Sequence, residues 1–197
     1  MAKLHFYYSA MNAGKSTILL QSAYNYNERG MDTLLFAPRT ADRYGEGLIA
    51  SRIGLQSHAI SFDDDFNLFE CVEQKLKENS NIRCVLVDEI HFLKKHHIEE
   101  MSDIAIKLNL PVLAYGLRSD FRGEPFEASQ YLLAWAEEIV EVKTICHCGR
   151  KATMNMRIDK EGNKVTEGAQ LEVGGNDRYV AVCRRHFLEG KGFKLED

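Results

Sequence analysis

The stretch Leu4-His5-Phe6-Tyr7-Tyr8-Ser9-Ala10-Met11-Asn12-Ala13-Gly14-Lys15-Ser16-Thr17 decides the fold. Its first five residues form an apolar, β-prone run, and the remainder carries the small, polar and glycine residues of a phosphate-binding loop. A buried strand delivers such a loop rigidly, and the loop's backbone N–H groups then curl around an anion at the N-terminus of the next helix. In this reading Gly14 lets the backbone approach, Lys15 reaches the β and γ phosphates of a nucleotide, and Ser16 offers its hydroxyl to Mg²⁺. Ser9, Ala10, Met11, Asn12 and Ala13 complete the cradle. The usual pattern opens with Gly where this chain has Ser9, so a residue with a Cβ must make the first turn. Ile18, Leu19, Ala23 and Tyr26 mark one apolar face of a helix over 15 to 29, and Gly30 stands where a left-handed cap is wanted.

A P-loop needs a second half, and Cys84-Val85-Leu86-Val87-Asp88-Glu89 supplies it. Unbroken apolar character without alternation predicts a central parallel strand buried on both faces. Ligands of such sheets collect at the carboxyl ends of the strands. Asp88 is therefore placed to hold the Mg²⁺ hydration shell opposite Ser16, and Glu89, pointing elsewhere, is available to take a proton from a hydroxyl acceptor. Strands are also expected over Thr33 to Pro38, Pro111 to Leu117 and Ile139 to Lys143, the last as core. Helices are expected over Asp63 to Asn79, capped by its acids, over 95 to 109, and over Gln130 to Glu138. The alternation predicts a parallel, right-handed α/β sheet.

Two polar segments leave strand ends. Arg39 to Ser57 is too long for an idle connection and holds Arg43, a candidate phosphate contact. The segment from Gly116 to Phe126 carries Phe121 and Phe126, covered either by a flat aromatic ligand or by local packing. His91, His96 and His97 lack the spacing of a metal pair and read as surface or cap residues.

The composition, 45% apolar and 27% charged with a net charge of −4 in 197 residues, suits one good core with a small satellite. It shows no basic footprint of a nucleic-acid binder, no span long enough for a bilayer and no signal peptide, so the expectation is a soluble cytoplasmic protein. Cysteines in that compartment point to metal or core roles. Cys71 and Cys84 fall on apolar faces and read as inert core. From Thr144 the composition changes: Cys146-His147-Cys148-Gly149 and Cys183-Arg184-Arg185-His186 each sit on a turn. Three thiolates and an imidazole suit structural Zn²⁺, with His186 favoured by its Cys-x-x-His spacing and His147 open as an alternative fourth ligand. Such a site supplies ~10 to 16 kcal/mol, which would hold a region with almost no apolar core. The glycine-bearing stretch from Glu167 to Tyr179, pinned by the metal, reads as a lid. The expected division is 1–143 as the P-loop α/β domain, 144–190 as the zinc domain and 191–197 as a tail.

With these pieces in this order, the chain resembles the cytosolic, zinc-containing (type II) thymidine kinases of bacterial type. The likeness is carried by Ser-Ala-Met-Asn-Ala-Gly-Lys-Ser, Val-Asp-Glu-Ile-His-Phe, Tyr-Gly-Leu-Arg-Ser-Asp-Phe-Arg-Gly, Cys-x-Cys-Gly-Arg-Lys-Ala and Gly-Gly-Asn-Asp-Arg-Tyr. It implies a RecA-like parallel-sheet core with a small zinc-ribbon-like β domain carrying a lasso loop. It also implies Glu89 as the base that takes the 5′-hydroxyl proton of thymidine, with Lys15 and Arg43 on the phosphates. Met11, Leu117, Phe121 and Tyr179, with Phe92 and Phe126 nearby, would enclose the thymine ring. The backbone of Glu172, Val173, Gly174 and Gly175 would hydrogen-bond it. The same likeness implies inhibition by thymidine triphosphate and a homotetramer. The rival readings are a GTPase switch, for which no guanine-reading Asn/Thr-Lys-x-Asp segment is present, and a P-loop ATPase with a zinc-ribbon nucleic-acid module, for which the charge pattern offers no basic stripe.

Overall fold

In the computed structural model, which describes residues 1–41, 47–170 and 179–190, the P-loop strand β1 (Leu4–Ser9) lies between β7 (Val112–Leu117) and β8 (Glu138–Glu141). With β2 (Asp32–Pro38), β5 (Ile60–Phe62) and β6 (Ile82–Val87) these form one sheet in the order β5-β2-β6-β7-β1-β8, parallel throughout. Every strand therefore ends on the same edge, and β1 and β6 deliver the P-loop and the Asp88-Glu89 pair to it, with β7 between them.

The apolar run of β6 feeds both faces. Val85 and Val87 join Phe6, Phe36 and Val112 under α2 (Leu68–Glu78), α3 (Lys95–Lys107) and α4 (Glu127–Trp135). Cys84 and Leu86 join Leu113 and Tyr115 under Leu19, Leu20 and Ala23 of α1 (Lys15–Asn27). Burial drives the Cys84 thiol up to about 12, so it is an inert core group, as its sequence setting implies.

Several expectations are corrected. The acids at 63 to 65 do not cap α2; the helix starts at Leu68, and the Asn67 side chain accepts the Glu70 N–H at 2.9 Å. Part of the first polar segment is regular, because β3 (Leu48–Ala50) and β4 (Gln56–His58) form a hairpin. The short β5 that follows pairs with β2 and was too brief to show a period. β8 is an edge strand with Ile139 and Val140 exposed, not core. α4 opens three residues earlier than expected, after Phe126.

Beyond β8, β9 (Thr144–Ile145) pairs with β10 (Lys151–Ala152), and β11 (Met154–Arg157) pairs with β12 (Tyr179–Val182), followed by α5 (Arg184–Glu189). This region does have an apolar core: Met154, Met156, Ile158, Val182 and Phe187 pack together with Cys146 and Cys183. Two methionines and two cysteines sit among its few aliphatic residues, so its strands carry a weak β signal in the sequence. Arg43, the four residues Glu172, Val173, Gly174 and Gly175, and the tail 191–197 lie outside the described residues.

Candidate active site and metal centre

The loop after β1 turns twice through left-handed backbone, at Asn12 (φ 62°) and Gly14 (φ 86°), before α1 begins at Lys15. No acidic residue occupies the first turn of that helix, so no side chain of its own competes there for an anion. Lys15 is only 9% exposed, and its Nζ donates to Ser9 Oγ at 3.0 Å. Ser9 thus does more than replace a glycine: its hydroxyl, which donates to the Ala10 carbonyl at 2.6 Å, gives the ammonium an acceptor across the loop.

Asp88 closes the other side. It is 4% exposed; Ser16 Oγ donates to its Oδ2 at 2.8 Å and the Glu89 N–H to its Oδ1 at 2.9 Å. Burial, followed by the neighbouring Glu89 carboxylate, holds the Asp88 acid above its ordinary range, against the pull of Ser16 and Lys15. The backbone at Glu89 is left-handed (φ 50°) and leads into the short 3-10 turn Ile90–Phe92. A non-glycine residue in that conformation is strained and persists where the surrounding structure fixes it. Lys15, Ser16, Asp88 and Glu89 all line one cleft of about 230 Å³, with Arg52 and Ile53 of the β3–β4 hairpin on its outer wall.

A smaller pocket of about 40 Å³ adjoins it and is lined by Phe92, Phe121, Phe126 and Tyr179 among others. Met11, His91 and Leu117 line both cavities. Phe121 and Phe126 are buried by the protein itself, so local packing covers them while they also wall the pocket. Phe121 meets Tyr179 edge-on at 6.3 Å, and the Arg157 guanidinium lies 5.5 Å over the Phe121 ring. Met11, Leu117, Phe126 and Tyr179 form one apolar cluster, although they come from the P-loop, β7, the loop after it and β12.

Two residues in this region were not legible as site residues. His91 is 5% exposed, not a surface residue, and sits where the cavities meet. Asn155, on β11, accepts the Met11 N–H at 2.7 Å through Oδ1 and donates from Nδ2 to the Ser119 carbonyl at 2.9 Å. One buried amide thereby fastens the P-loop and the loop after β7 to the cysteine-rich region. His97 is fully buried, and its Nδ1 accepts the Lys94 N–H at the start of α3; it is a cap, as expected, but not a surface one. His96 is exposed.

In the candidate metal centre, the potential ligand atoms of Cys146, Cys148, Cys183 and His186 all lie within 4.8 Å of one another. Zinc–sulfur bonds of ~2.3 Å in a tetrahedron put sulfurs roughly 3.8 Å apart. Cys148 and Cys183 are separated by 3.9 Å, and His186 Nδ1 lies 3.3 Å from the sulfur of Cys146 and 3.7 Å from that of Cys183. The group fits Zn²⁺, and His186 completes it. His147 stacks flat on His186, with ring centres 4.2 Å apart.

The family model for thymidine kinase matches residues 2–187, which takes in the P-loop, both cavities and the cysteine-rich region. The chain belongs to the thymidine kinase family. A thymidine kinase of Coxiella burnetii is 66% identical over 97% of this chain and 97% of its own length. One from Legionella pneumophila is 56% identical, covering 98% and 93%. One from Rhodopirellula baltica is 53% identical, covering 100% and 93%. Within a thymidine kinase framework, the cleft and its aromatic annex are two compartments with a shared wall. Among the described residues, no helix is long and apolar enough to cross a membrane.

Proposed function

We propose that this protein transfers the γ-phosphoryl group of ATP to the 5′-hydroxyl of thymidine, giving the monophosphate for nucleoside salvage, with deoxyuridine as a further acceptor. The observation that carries this reading is the meeting of Lys15, Ser16, Asp88 and Glu89 on one cleft that shares Met11, His91 and Leu117 with an aromatic pocket. The P-loop amides and Lys15 hold the phosphates, while Met11, Leu117, Phe92, Phe121, Phe126 and Tyr179 enclose the base. The nucleoside then presents its hydroxyl at the seam, in reach of Glu89. Positioning and charge neutralisation are most of what phosphoryl transfer asks of a protein.

Glu89 takes the hydroxyl proton as the oxygen attacks phosphorus. The Ser16 hydroxyl beside the buried Asp88 carboxylate suits Mg²⁺, which supplies charge neutralisation on the phosphates when bound. Arg43 is assigned to the phosphates, and the backbone of Glu172, Val173, Gly174 and Gly175 to the base. Residues 1–143 carry the phosphate chemistry and 144–190 the Zn²⁺ and the closing loop. A homotetramer, inhibition by thymidine triphosphate and a cytoplasmic location complete the reading.

The test compares ADP formation from ATP and Mg²⁺ with thymidine, with DNA and with neither. Stimulation by thymidine alone is expected; stimulation by DNA, or none by thymidine, refutes the assignment. Glu89→Gln is expected to bind ATP as the parent does and to lose turnover by ~10² or more. Turnover within about twofold of the parent removes Glu89 as the base.

A further inference from the structure

His91 occupies the seam between the phosphate cleft and the aromatic pocket. Its Nδ1 accepts the Leu117 N–H at 3.4 Å and stands 3.4 Å from Oε2 of Glu89. The Phe92 and Phe126 rings lie 4.4 and 5.1 Å from the imidazole, so packing fixes its orientation. A ring nitrogen that accepts a backbone N–H presents a lone pair, which places the proton of the neutral imidazole on Nε2. Against an ionised carboxylate, that lone pair has no hydrogen to share. Once the carboxyl oxygen carries a proton, Nδ1 can accept it across the same 3.4 Å in place of the Leu117 N–H.

We propose that His91 is a positioning residue for the transfer, and that its Nδ1 receives the proton which Glu89 removes from the acceptor hydroxyl. The inference rests on the assignment of Glu89 as base. The hydroxyl O–H bond breaks as its oxygen bonds to the γ phosphorus, and the bridging O–P bond breaks with its electron pair leaving on ADP. The proton moves to Glu89, then from Oε2 to Nδ1, leaving an ionised carboxylate and an imidazolium that returns the proton to solvent after the products depart. The ionised carboxylate left at 3.4 Å favours the imidazolium beside it, which is the direction of the relay. The Leu117 N–H loses its acceptor while the proton resides on the ring.

His91→Gln retains a side-chain oxygen for the Leu117 N–H and takes up no proton. The expected result is a kcat at least about 10-fold below the parent, with KM for thymidine and for ATP within about twofold. A raised thymidine KM with unchanged kcat makes His91 a pocket wall and overturns the proposal, as does a parental kcat. Should the variant not fold, ¹⁵N NMR of the histidine rings in the parent decides the matter: Nδ1 of His91 is expected to carry no proton in the resting enzyme at neutral pH, and a proton there overturns the relay. Glu89→Gln assayed in parallel separates the two claims. If it loses turnover while His91→Gln does not, the relay fails and the base stands; if it keeps turnover, both fall.

Discussion

Gly116 gives the sharpest mechanical test of how the site is held. It lies on β7 opposite Tyr8 of β1. A Cβ there would stand 2.6 Å from Ile90 Cγ1, 2.8 Å from its Cδ1 and 3.2 Å from its backbone N. Carbon atoms rest at about 3.5 to 4.0 Å, so Gly116→Ala forces Ile90 back by roughly 1 Å. Ile90 is fully buried and cannot swing into solvent. It opens the 3-10 turn that directly follows Glu89 and contains His91, so its retreat carries both groups away from the cleft. Overpacking of this kind destabilises by ~1 to 3 kcal/mol, which lowers Tm by ~2 to 12 °C in a chain of this size. A displacement of about 1 Å at a reacting group lowers turnover by ~10². The affinity for ATP is expected to hold, because the nearest atoms to the new Cβ all belong to Ile90 and none to the P-loop. Thermal melts, steady-state kcat and ATP titration of the one variant read all three. A folded Gly116→Ala protein with parental Tm and kcat would mean that Ile90 repacks without moving the turn, and the rigid coupling of β7 to Glu89 would be wrong.

Asp88→Asn removes the charge that faces Ser16 Oγ at 2.8 Å, and the Mg²⁺ concentration giving half-maximal turnover is expected to rise ~10- to 100-fold; an unchanged Mg²⁺ titration excludes Asp88 from holding the ion. Stripping Zn²⁺ with a chelator is expected to expose residues after Thr144 to protease while the main sheet stays protected, since the ligands join the β9–β10 turn to the start of α5; unchanged cleavage would refute a structural role for the metal. Burial first, then His96, pushes His97 down to about 4 from the ordinary 6.5. The unfolded chain therefore takes up this proton first, so the contribution is intact above about pH 6.5 and lost as pH falls towards about 4, by ~3 kcal/mol at most. Urea unfolding of His97→Gln across that window is expected to show a shallower loss than the parent, and equal slopes would refute it.

The fold was legible where one residue run carries its own constraint. Cys84 to Val87 reads as central because it is apolar at every position, and the structure uses alternate members on opposite faces. What was misread was short or conditional. β5 has three residues, too few for a period, and β8 carries Ile139 and Val140 yet lies at the edge, where both are exposed. The start of α2 went wrong because Asp63, Asp64, Asp65 and Asn67 are all chemically able caps, and local sequence does not choose among them.

The site divides along the same line. Gly14, Lys15, Ser16, Asp88 and Glu89 are legible as candidates because their types and order follow a phosphate-binding pattern, whereas Ser9 is legible only as a departure from it. His91, Asn155 and Gly116 are not legible, because each matters through something far away in the chain: the Leu117 amide, the Met11 amide and the Ile90 side chain. These three share a consequence. Leu117 and Gly116 are neighbours on β7, and Ile90 and His91 are neighbours on the turn after Glu89, so the strand grips that turn by one hydrogen bond and one close packing contact. Asn155 then ties Met11 of the P-loop to Ser119, just beyond the same strand. The strand between β1 and β6 thus spaces the loop that carries Lys15 from the turn that carries Glu89. A change on β7 that leaves every charged group in place is therefore expected to act on kcat before it acts on the binding of ATP.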